Sequence, residues 1–432
     1  MFAAREFDLS INASVKEGPL MLCSITAPLA LRRSCLLLAV CLLVPHIAFA
    51  HSAGDDAAVQ VLVEKFFDLY QKRDLDGLMG LWSEKSPDFA TSRQRFQQTF
   101  AANRIQLKSV SIRKADINKD GATVRTIAEV NAEDVKTGKT VNGFGLMNRT
   151  FQFLREDGGW KVWQYVASEE RLAKALLTAK TEDERKALLA ADKDLVSDEL
   201  VRALLSEGLR LEDRREYSAA LSCYAIAWTL AEQLHYLIGI ANALKSMAIV
   251  HRLQGHYVQA LESYERSLKV SRELGDKKGV AIALNSIGRI HGLRGDYAQA
   301  VERLEESLKI SREMDDKQGI AGVLLNIGDV HKKQGNYAQA LEYFRDSLRI
   351  SREIGDKRII ASALGSIGLI HKSRGNYSQA LKNLQEGLKM FVERGDKRGI
   401  AIALHDVGYV HDLQGNYPQA LENYQDSLRI SR

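Results

Sequence analysis

From residue 239 onward, apolar residues recur at spacings of three and four in short runs, each closed by a glycine next to an aromatic or an aspartate. One run holds Ala283, Leu284, Ile287, Gly288 and His291 and stops at Gly295, a residue suited to the left-handed position after a helix. A second run follows Tyr297, and the pair predicts a helical hairpin. The hairpin returns every forty residues, in units that begin at Gly239, Gly279, Gly319, Ile359 and Gly399. A decayed sixth unit covers 199–238, where Gly208, Tyr217, Ala220, Leu221 and Tyr224 keep the frame. Gly275-Asp276, Gly355-Asp356 and Gly395-Asp396 predict the end of one second helix and the cap of the next first helix. Asp296/Gln299, Asn336/Gln339, Asn376/Gln379 and Asn416/Gln419 have the spacing of capping boxes that would open the second helices.

The residues that hold this frame are small. Gly288, Gly328, Gly368 and Gly408 on the first helices, and Ala260, Ala300, Ala340, Ala380 and Ala420 on the second, predict close approach of paired backbones. One hairpin cannot bury its own apolar stripe, so the units must stack, and the fold class this predicts is mainly α, an α-solenoid. His251, His291, His331, His371 and His411 fall at one position of each unit and are expected to be packing residues.

Residues 55–168 follow a different pattern. An amphipathic helix carrying Val59, Leu62, Val63, Phe66, Phe67 and Tyr70 leads into a shorter helical stretch around Phe96–Ala101. Four strand-like runs come next: 107–117, 122–133, 142–156 and 160–168. Helices followed by an antiparallel meander predict a small α+β domain. Asp116-x-Asn118-x-Asp120-Gly121 copies the first half of a calcium loop, but its twelfth position is Ile127, so a hairpin turn is expected there. Residues 169–198 are rich in Ala, Leu and charge and contain neither Pro nor Gly, which predicts a helical linker.

Composition adds the compartment. The 432 residues are 45% hydrophobic and 27% charged with a net charge of +5, too mild for a nucleic-acid binder of this size. Arg32-Arg33, the apolar run 35–50 and the small-x-small ending Ala48-Phe49-Ala50 predict a signal peptide over 1–50, with cleavage before His51. The chain is therefore expected to be exported, periplasmic or secreted, with membrane anchoring through the uncleaved run as the alternative. Three of the four cysteines lie in that leader, leaving Cys223 as an expected core residue. No P-loop, serine elbow or metal-spaced Cys/His set is present, so no enzyme activity, cofactor or metal is expected.

With Ala241 as position 1, the small residue at 8, the aromatic at 17, Ala at 20 and the aromatic or Leu at 24 (Tyr264, Leu304, Phe344, Leu384, Tyr424) resemble the tetratricopeptide repeat family. The forty-residue length, with Leu in place of Trp at position 4, is similar to the kinesin-light-chain and Leu-Gly-Asn relatives. The resemblance implies a right-handed α-solenoid whose first helices line a concave surface that binds peptides through positions 2, 5, 9, 12 and 13. The residues it nominates are Asn242, Lys245, Arg252, Asn285, Arg289, Asp329, Lys332, Lys372, His405, Tyr409 and Asp412. Lys245, Arg252, Arg289, Lys332 and Lys372 would form a basic stripe preferring an acidic peptide, interrupted by Asp329, Asp406 and Asp412.

The helix–meander order and the closing strand Trp160–Tyr165 resemble the SnoaL-like, nuclear-transport-factor-2-like cone, which implies self-pairing, ligand binding or, as an alternative, small-molecule catalysis. The whole layout is also similar to the front half of bacterial proteins that carry a caspase-like CHAT peptidase after such repeats. The expected function is that of a protein-interaction scaffold. Leu421, Tyr424 and Leu428 on the last helix are expected to be left partly uncovered.

Overall fold

The computed structural model describes residues 53–141 and 144–431; the predicted leader lies outside them. Three helices, α1 (Ala53–Lys72), α2 (Leu75–Met79) and α3 (Phe89–Ala102), precede four strands, β1 (Asn103–Ile117), β2 (Gly121–Asp134), β3 (Gly145–Glu156) and β4 (Gly159–Ala167). The strands form one antiparallel meander in the order β1-β2-β3-β4. On β2, Ala122, Val124, Thr126, Ala128 and Val130 alternate onto the buried face, as the two-residue pleat requires. That face closes on α1. The Phe66 ring lies 4.7 Å from Tyr165, 4.9 Å from Phe151, 5.2 Å from Phe67 and 5.8 Å from Trp82, so aromatic rings fill the interior of the cone. The Asn118 side chain accepts from the backbone N–H groups of Asp120 and Gly121, which makes the calcium-like stretch the β1–β2 hairpin turn.

The linker is helical but broken. α4 (Ser168–Thr178) ends before Thr181, and a reciprocal capping box between Thr181 and Glu184 starts α5 (Glu182–Ala191). Leu172, Ala173 and Leu176 of α4 are buried with Leu200, Val201 and Leu204, so the linker shares a core with the first hairpin of the array.

Six helix pairs follow: α6 (Asp198–Asp213) with α7 (Tyr217–Gln233), α8 (Leu237–Leu253) with α9 (Tyr257–Glu273), α10 (Lys277–Arg294) with α11 (Tyr297–Glu313), α12 (Lys317–Lys333) with α13 (Tyr337–Ile354), α14 (Lys357–Ser373) with α15 (Tyr377–Arg394), and α16 (Lys397–Leu413) with α17 (Tyr417–Ser431). The small frame residues sit where backbones meet. A Cβ on Gly288 would lie 2.7 Å from Leu304 Cγ and 2.9 Å from the Ala300 carbonyl oxygen; one on Gly328 would lie 2.6 Å from the Phe344 ring. Ala260, Ala300, Ala340 and Ala380 are fully buried opposite them.

Asp276, Asp316 and Asp396 cap the first helices, accepting from Gly279, Gly319 and Gly399 N–H. The capping boxes expected at the second helices do not form: Asp296, Asn336 and Asn376 make no side-chain cap bond. The reason is visible at Asp296, whose carboxylate turns back to His291 and Arg294, 3.4 Å from each.

A regular bond that the sequence reading missed ties the two helices of a unit together. Ser267, Ser307, Ser347 and Ser427 each donate to the carbonyl of a residue on the preceding first helix, Ala241, Ala281, Ala321 and Ala401, at 2.7–3.0 Å. In the remaining unit the equivalent residue is Gly387. Cys223 is fully buried beside Leu211, Ala220, Tyr224 and Val250, and burial pushes its thiol up to about 11. On α17, Leu421 and Leu428 are more than half exposed, as expected.

Candidate functional site

Most successive first helices pack directly on one another, α6 on α8, α10 on α12, α12 on α14 and α14 on α16; among the described residues α8 and α10 touch less, and no two successive second helices share a comparable contact. Rows of helices that approach each other on one side only must curve toward that side, so the first helices form the inner surface. The outer surface is bridged instead by long side chains, such as Arg272–Glu306 and Arg352–Glu386 at 2.9 and 2.6 Å. These exposed pairs add little to stability.

The residues nominated for the groove follow from helix geometry. Within α10, Leu284, Ile287 and Gly288 face the partner helix and are buried, which turns Asn285 and Arg289 to the other side. Arg289 is exposed, and partial desolvation within the array, with Arg252 as a like-charged neighbour, lowers its pKa. Among the described residues neither Arg252 nor Arg289 has an ion-pair partner. Lys245 donates to Asn242 at 3.0 Å along its own helix. Asn285 accepts from Asn326 of the next unit at 2.7 Å.

Further along, the charges pair with one another. Lys332 lies 2.7 Å from Asp329, and Ser366 donates to the same carboxylate at 3.4 Å. The Lys372 ammonium sits 4.4 Å above the Tyr409 ring. His405 is exposed, 5.4 Å from the Tyr424 ring and 3.8 Å from Asp406, and Asp412 is exposed at the end of the row. Burial raises the Asp406 pKa against the opposing pull of Lys372, His405 and Lys332.

The groove thus has two unpaired guanidiniums at its first end and a mixed, internally paired stretch at the other. The continuous basic stripe is confined to its first part. At position 6 of the units the sequence singled out Asp406 alone, as a break in the stripe, yet Asn326 and Ser366 reach groove partners as well. A run of polar residues at that position, Ser246, Ser286, Asn326, Ser366 and Asp406, was available as a signal.

The histidines stand at the rim of the helix pairs. Each backbone carbonyl accepts from the N–H five residues on, closing the turn between helices at 2.8–2.9 Å. Burial lowers the pKa of His251 and His371, and the His331 ring stacks on Tyr343 at 5.3 Å.

In the α+β domain, Asp88 accepts from Gln164 at 3.0 Å, and Asp116 is exposed on β1. Neither carboxylate enters the ring-filled interior. A furrow of about 690 Å³ opens between α1 and β1, where Asp56, Glu64 and Asp116 at its edge meet the core residues Val59, Val63, Ile117 and Val124.

The repeat frame and the cone agree with comparison to known families. A tetratricopeptide repeat model matches residues 239–313 and 319–393, and a SnoaL-like domain model matches 59–170. The chain carries tetratricopeptide repeats behind a SnoaL-like domain. A model described as anaphase-promoting complex subunit 5 matches residues 368–432 of the tetratricopeptide array. No curated protein sequence matches the chain.

Among solved structures it is similar to BtubC (BKLC) from P. vanneervenii, at 18% identity and a TM-score of 0.43, over 49% of this chain and 89% of that one. It is also similar to the apo form of RapI, at 18% identity and a TM-score of 0.47, over 61% of this chain and 96% of that one. A Rap protein complexed with competence and sporulation factor matches at 15% identity and a TM-score of 0.44, over 61% of this chain and 95% of that one.

Proposed function

We propose that this protein is a non-catalytic scaffold whose tetratricopeptide groove binds a peptide or an extended protein segment, with an acidic residue of the ligand placed between Arg252 and Arg289. The observation that carries this reading is the pair of neighbouring guanidiniums, exposed or half-buried, with no ion-pair partner among the described residues. A carboxylate there would relieve a like-charge contact and gain charge-assisted hydrogen bonds. The mixed row Asp329, Lys332, Lys372 and Asp406 would then read the rest of the ligand, with Asn242, Lys245, Asn285, His405, Tyr409 and Asp412 along its edges. The enzyme alternative has less support, because aromatic rings fill much of the cone interior and, among the described residues, the furrow beside them holds carboxylates but no histidine or cysteine. The proposed location is outside the cytoplasm, on the strength of the leader pattern.

Peptides selected from a random display library on the immobilised chain test this, with affinities read by fluorescence anisotropy. Binders enriched in Asp and Glu are expected, and Arg252→Glu with Arg289→Glu should weaken them by roughly a hundredfold, the loss of two charge-assisted contacts. Equal affinity for the doubly reversed chain would refute the groove reading.

A further inference from the structure

A second cleft lies at the junction of the two parts, on the outer face of the sheet and away from both the groove and the cone interior. Its floor is one cross-strand row: Lys114 of β1 pairs with Arg125 of β2, and Arg125 pairs with Thr150 of β3. Residues paired in this way point to the same face. Its roof is α4, where Ser168, Arg171, Leu172 and Ala175 share a helical face, together with Leu188 of α5 and the following residues Asp192 and Leu195. The cleft volume is about 210 Å³.

The cleft has more enclosed donors than acceptors. Arg125 Nη2 donates to Asp194 at 2.9 Å, and Nη1 stands 3.4 Å from Asp192 without hydrogen-bond geometry. Arg125 Nε and Nη1 and Arg171 Nη1 are sealed from solvent without an acceptor. Arg171 has no ion-pair partner among the described residues, and burial lowers its pKa against the weaker pull of Asp192 and Asp116. The Thr150 and Ser168 hydroxyls, 2.9 Å apart, satisfy each other and leave those donors unserved. Buried guanidinium donors from two arginines lining one cavity require an acceptor, and the natural partner of such forks is a carboxylate or phosphate.

The lining decides between these two. Lys114, Arg125 and Arg171 are balanced by Asp116, Asp192 and Asp194, a setting that tolerates a single added negative charge better than the double charge of phosphate, and Leu172, Ala175, Leu188 and Leu195 form an apolar wall. We propose that this cleft binds a small organic carboxylate, its head on Arg125 and Arg171 and its short aliphatic body against the leucines. The bound molecule joins β2 to α4, and so braces the sheet against the linker that shares its core with the first hairpin.

Isothermal titration of the full chain with sodium butyrate, and separately with inorganic phosphate at matched ionic strength, tests the assignment. Saturable butyrate binding is expected, weaker by roughly tenfold or more in Arg171→Met, whose far-ultraviolet dichroism and thermal midpoint should match the parent. Ala175→Leu, which fills the cleft and leaves every arginine in place, should abolish binding as well. No saturable butyrate binding would mean that water alone serves these donors and would overturn the proposal, as would undiminished binding in both variants. Phosphate binding as tight as butyrate would overturn the choice of an organic carboxylate.

Discussion

Helix α14 offers a direct test of how the array is held together, because two of its glycines lie one turn apart in opposite surroundings. A Cβ at Gly365 would meet nothing within 4 Å, whereas one at Gly368 would lie 2.8 Å from Leu384 Cγ and 3.2 Å from the Ala380 carbonyl oxygen. Both glycines are interior to the helix, so alanine at either relieves the same backbone entropy, worth about 0.5–1 kcal/mol. At Gly365 nothing opposes this gain, and Gly365→Ala is expected to stabilise by about that amount. At Gly368 the added methyl must push α15 away. Leu384 is 2% exposed and closely packed, and a backbone oxygen cannot rotate aside. Overpacking of this kind costs about 1–3 kcal/mol, which exceeds the helix gain, so Gly368→Ala should be net destabilising by about 1 kcal/mol. The assay is urea unfolding followed by circular dichroism, comparing midpoints at equal slope. The expected order is Gly365→Ala above the parent and Gly368→Ala below it. Equal midpoints for the two variants would refute the claim that close backbone approach sets the glycine frame.

Two further substitutions probe the bonds of the repeat. Gly387→Ser should raise the unfolding midpoint, since it restores the hydroxyl that the other units donate to the first helix, at Ala361 here, and improves helix propensity. The added Cβ would lie 3.1 Å from the Ala361 oxygen, a tight fit, so the net gain is expected at about 1 kcal/mol. A lower midpoint would mean that crowding outweighs the bond. Asp316→Ala removes a cap to Gly319 N–H and should cost about 1 kcal/mol, whereas Asn336→Ala, with no cap bond to lose, should stay within about 0.5 kcal/mol of the parent. Equal losses in thermal unfolding would refute this division between the two cap types.

What the sequence disclosed and what it withheld have the same physical origin. Periodicity reports burial, so the helix pairs, the four strands and the glycine–alanine contacts were legible from residue spacing alone. Hydrogen bonds that depend on local torsion were not. Asp296-x-x-Gln299 and Thr181-x-x-Glu184 share one spacing, but only the second closes, with Thr181 in extended backbone at φ −124°, ψ 159°. Asp296 stands at ψ 61° with Arg294 and the His291 ring behind it. The serine at 267, 307, 347 and 427 recurs as plainly as the histidines, yet a serine on a charged helix looks like a solvated one until its carbonyl partner is known. In the groove, helical spacing assigned residues to the inner face, but the pairing of Lys332 with Asp329 depends on rotamers that no spacing encodes.

The first helix carries two kinds of position, and their separation gives the groove its freedom. Leu364, Ile367 and Gly368 on α14 answer to the partner helix, where a change of one methyl is felt; Gly365, Leu369 and Lys372 answer to the inner surface, where truncation costs little stability. Recognition can therefore change from unit to unit without disturbing the stack. Asp406 is the exception, because it is partly buried and still faces Lys332, Lys372 and His405. Its raised pKa means that Lys332, Lys372 and the His405 ring do not fully offset its burial, so a donor or cation arriving there is favoured. Arg252 and Arg289, at the other end, favour an acceptor. If the groove binds as proposed, two ends of opposite preference on one row of helices would fix the direction in which an extended ligand lies.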